Sequence, residues 1–197
     1  MDNPVSENDR PDIQASLRGD QAAYARLVRR YETQIAAQMW RFTRDPDTLD
    51  ELVQGVFVEA YLSLRGFRGK APFLHWLRRI ATRVGYHHWK RRAREQKHRE
   101  ALAEWRATLP SVTEESTSSQ AAEYLHVLLD RLPPQDRLVL TLHYFDGLDT
   151  REIAERTGWN RGLVKVRAYR ARRKLKALLE AAGFGGRSDA RSAEASG

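Results

Sequence analysis

The chain of 197 residues carries 34 Lys and Arg against 26 Asp and Glu, a net charge of +8, and that excess points to a negatively charged partner. Its 41% hydrophobic content suits two small compact units and argues against a large single-core enzyme. The absence of cysteine excludes disulfides, thiolate metal sites, iron–sulfur clusters and a cysteine nucleophile.

The first ten residues, beginning Met1-Asp2-Asn3-Pro4, read as a flexible, polar start that lacks the basic and apolar regions of a signal peptide. No apolar run approaches the ~20 residues that span a bilayer, so a soluble, cytoplasmic protein without membrane insertion is expected. From Gly19, Tyr24, Leu27, Val28, Tyr31, Ile35 and Met39 recur at three- and four-residue intervals behind Asp20 as a cap, predicting an amphipathic helix. Thr48 and Glu51 form a capping-box pair ahead of Leu49, Leu52, Val53, Val56, Phe57, Ala60, Tyr61 and Leu64, a second helix ending near Gly66. After Pro72, Phe73, Trp76, Leu77, Ile80, Ala81 and Val84 predict a third. These helices form a bundle over residues 11–95.

Residues 96–120 lose the apolar pattern and read as a flexible, acidic linker rich in Ser and Thr. Helical periodicity restarts at Tyr124, Leu125, Leu128, Leu129 and Leu132, breaks at Pro133-Pro134, and resumes from Leu138 to Phe145 before the turn at Asp146-Gly147. A second helical domain is expected over 121–183, followed by a disordered tail over 184–197. Nothing reads as a strand, so the predicted fold class is all-α, with two small domains.

The sharpest local signal runs from Asp149 to Arg167. Asp149 and Glu152 cap one short helix, Gly158 supplies a turn and Asn160 caps the next helix: a helix-turn-helix. On that last helix Val164, Ala168, Ala171, Leu175 and Leu178 form the inward stripe, while Gly162, Val166, Tyr169 and Arg173 lie opposite, flanked by Lys165 and Arg170. Between Arg161 and Lys176 stand eight Lys/Arg and no acid. A solvated surface helix intersperses both signs; this one is built to reach phosphates and base edges.

The third helix of the first domain holds a second basic surface, with Arg79, Arg83, Tyr86, His87 and Lys90 off the apolar stripe, Trp89 alongside, and Arg91-Arg92-Ala93-Arg94 continuing. Cations attract phosphate and exposed aromatics stack on unpaired bases, although Tyr86 and Trp89 also fit as ordinary partly buried aromatics. Catalytic signals fail by spacing or placement. Gly66-Phe67-Arg68-Gly69-Lys70 has two residues between its glycines and no Ser/Thr after the lysine. His87, His88 and His98 lack ligand spacing and read as surface histidines, and Glu114-Glu115 falls in the linker. No cofactor, metal or small-molecule substrate is expected, and the chain is not expected to be an enzyme.

Set in order, these pieces resemble the extracytoplasmic-function group of bacterial RNA polymerase sigma factors. The blocks that carry the resemblance are Gly19 to Tyr24, Glu51 to Phe57, Phe67-Arg68-Gly69, Trp76 to Ala81, Leu132-Pro133, Glu152 to Glu155, and Val164 to Arg167 followed by Arg170-Ala171-Arg172. Together they cover most of residues 11–180. The resemblance implies that the first domain binds core RNA polymerase and opens the minus-10 element of promoter DNA, that the second reads the minus-35 element, and that an anti-sigma factor is a partner.

Carried over by position, Asp50, Glu51, Leu52, Gln54 and Phe57 resemble the polymerase-binding helix, with Leu52 and Phe57 fitting a core role as well. Phe67, Arg68 and Lys70 lie in the segment resembling the holder of a flipped minus-10 base, with Arg79, Arg83, Tyr86, His87 and Lys90 beside it. Arg161, Gly162, Lys165, Val166, Tyr169, Arg170 and Arg173 fall at or around the minus-35 contact positions. Arg83 stands where the group usually has Asn, and Gly55 where it usually has an acid. The competing reading is a two-domain helix-turn-helix regulator that binds DNA without acting as a polymerase specificity subunit; a nucleic-acid enzyme lacks any catalytic constellation.

Overall fold

The computed structural model describes residues 9–103 and 125–182, and every described element is helical. The expected disordered tail, and most of the expected linker, lie outside these residues. Contacts divide the chain into two compact units after Arg92.

In the first unit α1 spans Asp9–Leu17, α2 Gln21–Met39 and α3 Pro46–Ser63, followed by a single 3-10 turn over Leu64–Gly66. The next helix, α4, runs from Phe73 to Ala103 without a break. The sequence reading missed α1 because Ile13 and Leu17 are its only large apolar residues, too few for a periodic stripe. Polar contacts to α2 hold it instead. Arg30 donates to Asp9 at 2.7 Å and to Asp12 at 3.0 Å, Arg26 donates to Asp12 at 2.8 Å, and the Tyr31 hydroxyl donates to Asp9 at 2.5 Å. Both carboxylates are buried, so Asp9 and Arg10 belong to a packed helix where a flexible start was expected.

Asp20 caps α2 by accepting the Ala23 N–H at 3.1 Å. The expected Thr48–Glu51 capping box is replaced by Asp45, which accepts the Thr48 N–H at 2.9 Å with Pro46 in the first turn. Proline lacks an N–H and its fixed φ suits that position, so α3 starts earlier. The core joins Leu27, Ile35, Met39, Phe42, Val56, Phe73 and Leu77. Phe42 seats the middle of α4: a Cβ on Gly85 would fall 2.4 Å from its ring, and the Trp89 indole donates to its carbonyl at 2.8 Å. Only glycine permits that approach. Beyond Trp89, α4 stays helical through residues expected to be linker.

In the second unit, residues 125–130 form α5, Pro134–Leu140 α6, a π-helical turn covers Thr141–Phe145, and Thr150–Thr157 and Arg161–Ala181 form α7 and α8. Leu129, Leu132 and Leu140 pack with Ala171, against which Leu125, Leu175 and Leu178 also lie. The predicted inward stripe of α8 is therefore the one that is buried.

Candidate nucleic-acid interface

The α7–turn–α8 segment is positioned by its caps. Asp149 accepts the Arg151 and Glu152 N–H groups at 2.7 and 2.8 Å, and Glu152 returns a carboxylate to the Asp149 N–H at 2.8 Å. The N–H of Glu152, helped by that of Arg151 and by nearby Arg161, holds the Asp149 carboxyl below its ordinary pKa against a smaller effect of burial. Gly158 ends α7 at φ 74°, and the Asn160 side chain accepts the Gly162 N–H at 2.7 Å to start α8. A left-handed residue between two capped helices fixes the angle at which α8 leaves the unit.

Outward on α8 stand Arg161, Gly162, Lys165, Val166, Tyr169, Arg170 and Arg173, all exposed. Tyr169 is 60% exposed and Val166 46%, one turn apart, so the outer face of α8 sets apolar surface among its cations. The Arg173 guanidinium lies 5.9 Å from the Tyr169 ring centre, a cation–π distance. Two of the eight cations are committed to a buried carboxylate, and Lys176 pairs with Glu180 one turn on. Lys174 Nζ lies 2.6 Å and Arg167 Nη1 3.3 Å from the carboxylate of Asp136, which has no exposed surface. Both flank the buried stripe, Arg167 beside Ala168 and Lys174 beside Leu175, a placement visible in the sequence.

On α4, Arg79, Arg83 and His87 are exposed, while Tyr86 and Lys90 are half-buried with the ammonium 5.8 Å from the ring centre. Arg83 pairs with Glu59 of α3. Trp89, expected beside this surface, is turned into the core against Phe42 with its ring centre 4.5 Å away, and His88, expected at the surface, is buried too. Trp89 stands on the α4 side covered by the turn that follows α2, which carries Phe42. In the connection before α4, Gly69 adopts φ 66° and Phe67 packs its ring against Phe73 and Trp76 at 5.4 and 5.3 Å, leaving Arg68 and Lys70 exposed. Phe67 thus anchors the loop on α4.

The expected polymerase-binding residues divide. Asp50, Glu51 and Gln54 are exposed, whereas Leu52 and Phe57 are each only 7% exposed. Their place in the three-four repeat turns them inward, so they are core and present no surface to a partner. The reading missed the apolar continuation of the outer face: Val58, Tyr61 and Leu62 are 53%, 44% and 76% exposed. The signal was available, because 50, 51, 54, 58, 61 and 62 share one helical face. Tyr61 and Leu62 also line an open groove of 360 Å³ with Leu17, Arg18 and Arg65. Among the described residues no group of His, Asp or Glu is gathered to hold a metal, and no helix is long and apolar enough to cross a membrane.

The two units correspond to two family matches: Sigma-70 region 2 over residues 27–95 and Sigma-70, region 4 over residues 119–175. The chain is 28% identical over 185 residues to RNA polymerase sigma-H factor of Pseudomonas aeruginosa, covering 89% of this chain and 96% of that one. It is 29% identical over 169 residues to the ECF RNA polymerase sigma-E factor of Escherichia coli K12, covering 81% and 88%. Among solved structures, CnrH in complex with the cytosolic domain of CnrY matches with a TM-score of 0.55 and 27% identity over 89% of this chain and 99% of that one. The sigma factor RpoE of Bartonella quintana, solved with the anti-sigma factor NepR, shares the fold with a TM-score of 0.55 and 20% identity over 80% and 96%. The chain belongs to the extracytoplasmic-function group of RNA polymerase sigma factors, within the sigma-70 family. Its function is that of the group, promoter-directed initiation of transcription with RNA polymerase.

Proposed function

We propose that α8 enters the major groove of the minus-35 element with Lys165, Val166, Tyr169, Arg170 and Arg173 as its contact face. The observation that carries this reading is the capped α7–turn–α8 unit, whose outer face combines cations with exposed Tyr169 and Val166. Cations hold the phosphates while the apolar groups suit base edges such as a thymine methyl. On the first unit, Arg68, Lys70, Arg79, Arg83, Tyr86, His87 and Lys90 face the minus-10 element as it melts, with Tyr86 as the stacking group.

The outer face of α3, with Asp50, Glu51 and Gln54 followed by Val58, Tyr61 and Leu62, docks on core polymerase. Apolar residues at the centre of a charged rim match the anatomy of a protein–protein contact. An anti-sigma factor is the expected inhibitor, the chain acts in the cytoplasm, and it performs no catalysis of its own. The regulator alternative accounts for α8 but leaves the apolar face of α3 without a partner.

The experiment is run-off transcription with core polymerase on a promoter template. Specific transcripts are expected from the wild type; DNA binding without initiation would favour the regulator. The variant Asp50→Ala, Gln54→Ala, Leu62→Ser should lose holoenzyme formation in a pull-down while keeping its circular dichroism, because each side chain is exposed. Arg170→Ala should cost on the order of 1–3 kcal/mol at one base pair if it reads a base, and equally on all sequences if it holds a phosphate.

A further inference from the structure

The loop between the 3-10 turn and α4 has little of its own to hold it. Among the described residues no backbone–backbone hydrogen bond involves Arg68, Gly69, Lys70 or Ala71, so its position follows from how its two ends and the Phe67 ring are packed. That ring leans on Phe73 at 5.4 Å and on Trp76 at 5.3 Å. Phe73, 1% exposed, packs in turn on the Tyr31 ring at 5.6 Å. Tyr31 belongs to α2, and its hydroxyl donates at 2.5 Å to Asp9 on α1. At its other end α1 packs against the 3-10 turn, where Ser16 and Leu17 line the same groove as Leu64 and Arg65. Helix α1 therefore reaches both ends of the loop, through the 3-10 turn before it and through Tyr31 and Phe73 after it.

We propose that α1 is a brace for the loop of residues 67–72, with Tyr31 and Asp9 as positioning residues that fix how Phe67, Arg68 and Lys70 are presented to a minus-10 base. The proposal rests on the reading of that loop as part of the minus-10 face and adds to it two residues that touch no DNA. Tyr31 is 8% and Asp9 1% exposed, so both act only through what they pack against. A buried carboxylate is tolerated only with its hydrogen bonds made, and Asp9 accepts from both Tyr31 and Arg30. The hydroxyl bond ties the far end of the Tyr31 ring to α1, and close-packed rings pass a displacement on to the next ring. Polar contacts carry most of the attachment of α1, since Ile13 is the one large apolar residue it buries. Loss of the Asp9 bond therefore loosens the brace without emptying the core.

The test uses full-length Asp9→Ala and Tyr31→Leu, each checked for folding by circular dichroism. Asp9→Ala leaves every core ring in place and Arg30 on Asp12 at 3.0 Å. Trypsin cleaves after exposed Arg68 and Lys70 as the loop opens, and cleavage after exposed Arg44, which lies outside the brace, is the internal reference. Mass spectrometry of early time points should show loop cleavage rising by about three- to tenfold relative to Arg44, the scale of one lost aromatic pair. A general loss of stability raises both sites together, and an unchanged ratio overturns the brace. Holoenzymes of the same variants are then titrated onto single-stranded minus-10 DNA and onto strands with one base replaced. The preference for the cognate strand should fall by a similar factor, while binding to minus-35 duplex is retained. A loosened loop with undiminished preference overturns the positioning role. Where Tyr31→Leu does not fold, Asp9→Ala decides alone. Absence of any base preference in the wild type overturns the minus-10 reading instead, and the cleavage ratio still decides whether α1 holds the loop.

Discussion

Lys174 Nζ lies 2.6 Å from Oδ2 of Asp136, a carboxylate with no exposed surface, and Arg167 reaches the other oxygen at 3.3 Å. The pair ties α6 to the inner edges of α8, thirty-eight residues along the chain, and sets how the outer face is presented. Asp136→Ala should destabilise the second unit by about 1–3 kcal/mol, the cost of removing a buried partner of charged hydrogen bonds. The value stays below that of a sealed ion pair because Lys174 is 47% exposed and can turn to water. Lys174→Met, which leaves Arg167 on the carboxylate, should cost less. Urea denaturation followed by far-ultraviolet circular dichroism ranks the two; a larger loss for Lys174→Met would contradict the shared-anchor account.

Two helical glycines should respond in opposite directions. At Gly85 a methyl would meet the Phe42 ring at 2.4 Å, so Gly85→Ala should destabilise the first unit by about 1–3 kcal/mol through overpacking. At Gly55 the nearest atom, on Val84, is 3.9 Å away. Gly55→Ala should therefore stabilise by about 0.5–1 kcal/mol through helix propensity. Thermal unfolding of both variants provides the check.

The α1–α2 contact should weaken in acid. Burial raises the Asp12 pKa, but hydrogen bonds and charge from Arg26 and Arg30 outweigh it and hold the group below its ordinary value. A carboxylate depressed in the folded state contributes stability that is fully present above its unfolded pKa of about 3.9 and is lost as pH falls through the lower folded value. Amide exchange of α1, corrected for its intrinsic pH dependence, should accelerate below about pH 3.9 relative to α2. Asp12→Asn should reduce that acid response; an unchanged response would place it elsewhere.

Glu59 should restrain Arg83. Their pair is exposed on both sides, so breaking it should change stability by no more than about 1 kcal/mol. Glu59→Gln releases Arg83 to a phosphate or a guanine edge and should let promoter opening persist to higher salt. Arg83→Ala should reduce opening and its salt sensitivity. Permanganate footprinting across several salt concentrations distinguishes them, and identical opening by all three proteins would remove Arg83 from the interface.

Local chemistry was enough to make the helix-turn-helix legible before any coordinates. Asp149, Glu152, Gly158 and Asn160 act on backbone groups two to four residues away, and Val164, Ala168 and Ala171 recur at the helical period. The exposed face of α8 follows from those same residues, because a buried stripe leaves its opposite side to solvent. Tertiary structure alone decided where polar groups find distant partners. Asp12 meets Arg26 and Arg30 across α1 and α2, Trp89 finds the Phe42 carbonyl 47 residues away, and Asp136 withdraws Arg167 and Lys174 from the basic face. Apolar periodicity reports which side of a helix avoids water. It carries no information on which buried carboxylate a cation meets, since that hydrogen bond depends on the packing of whole helices against one another.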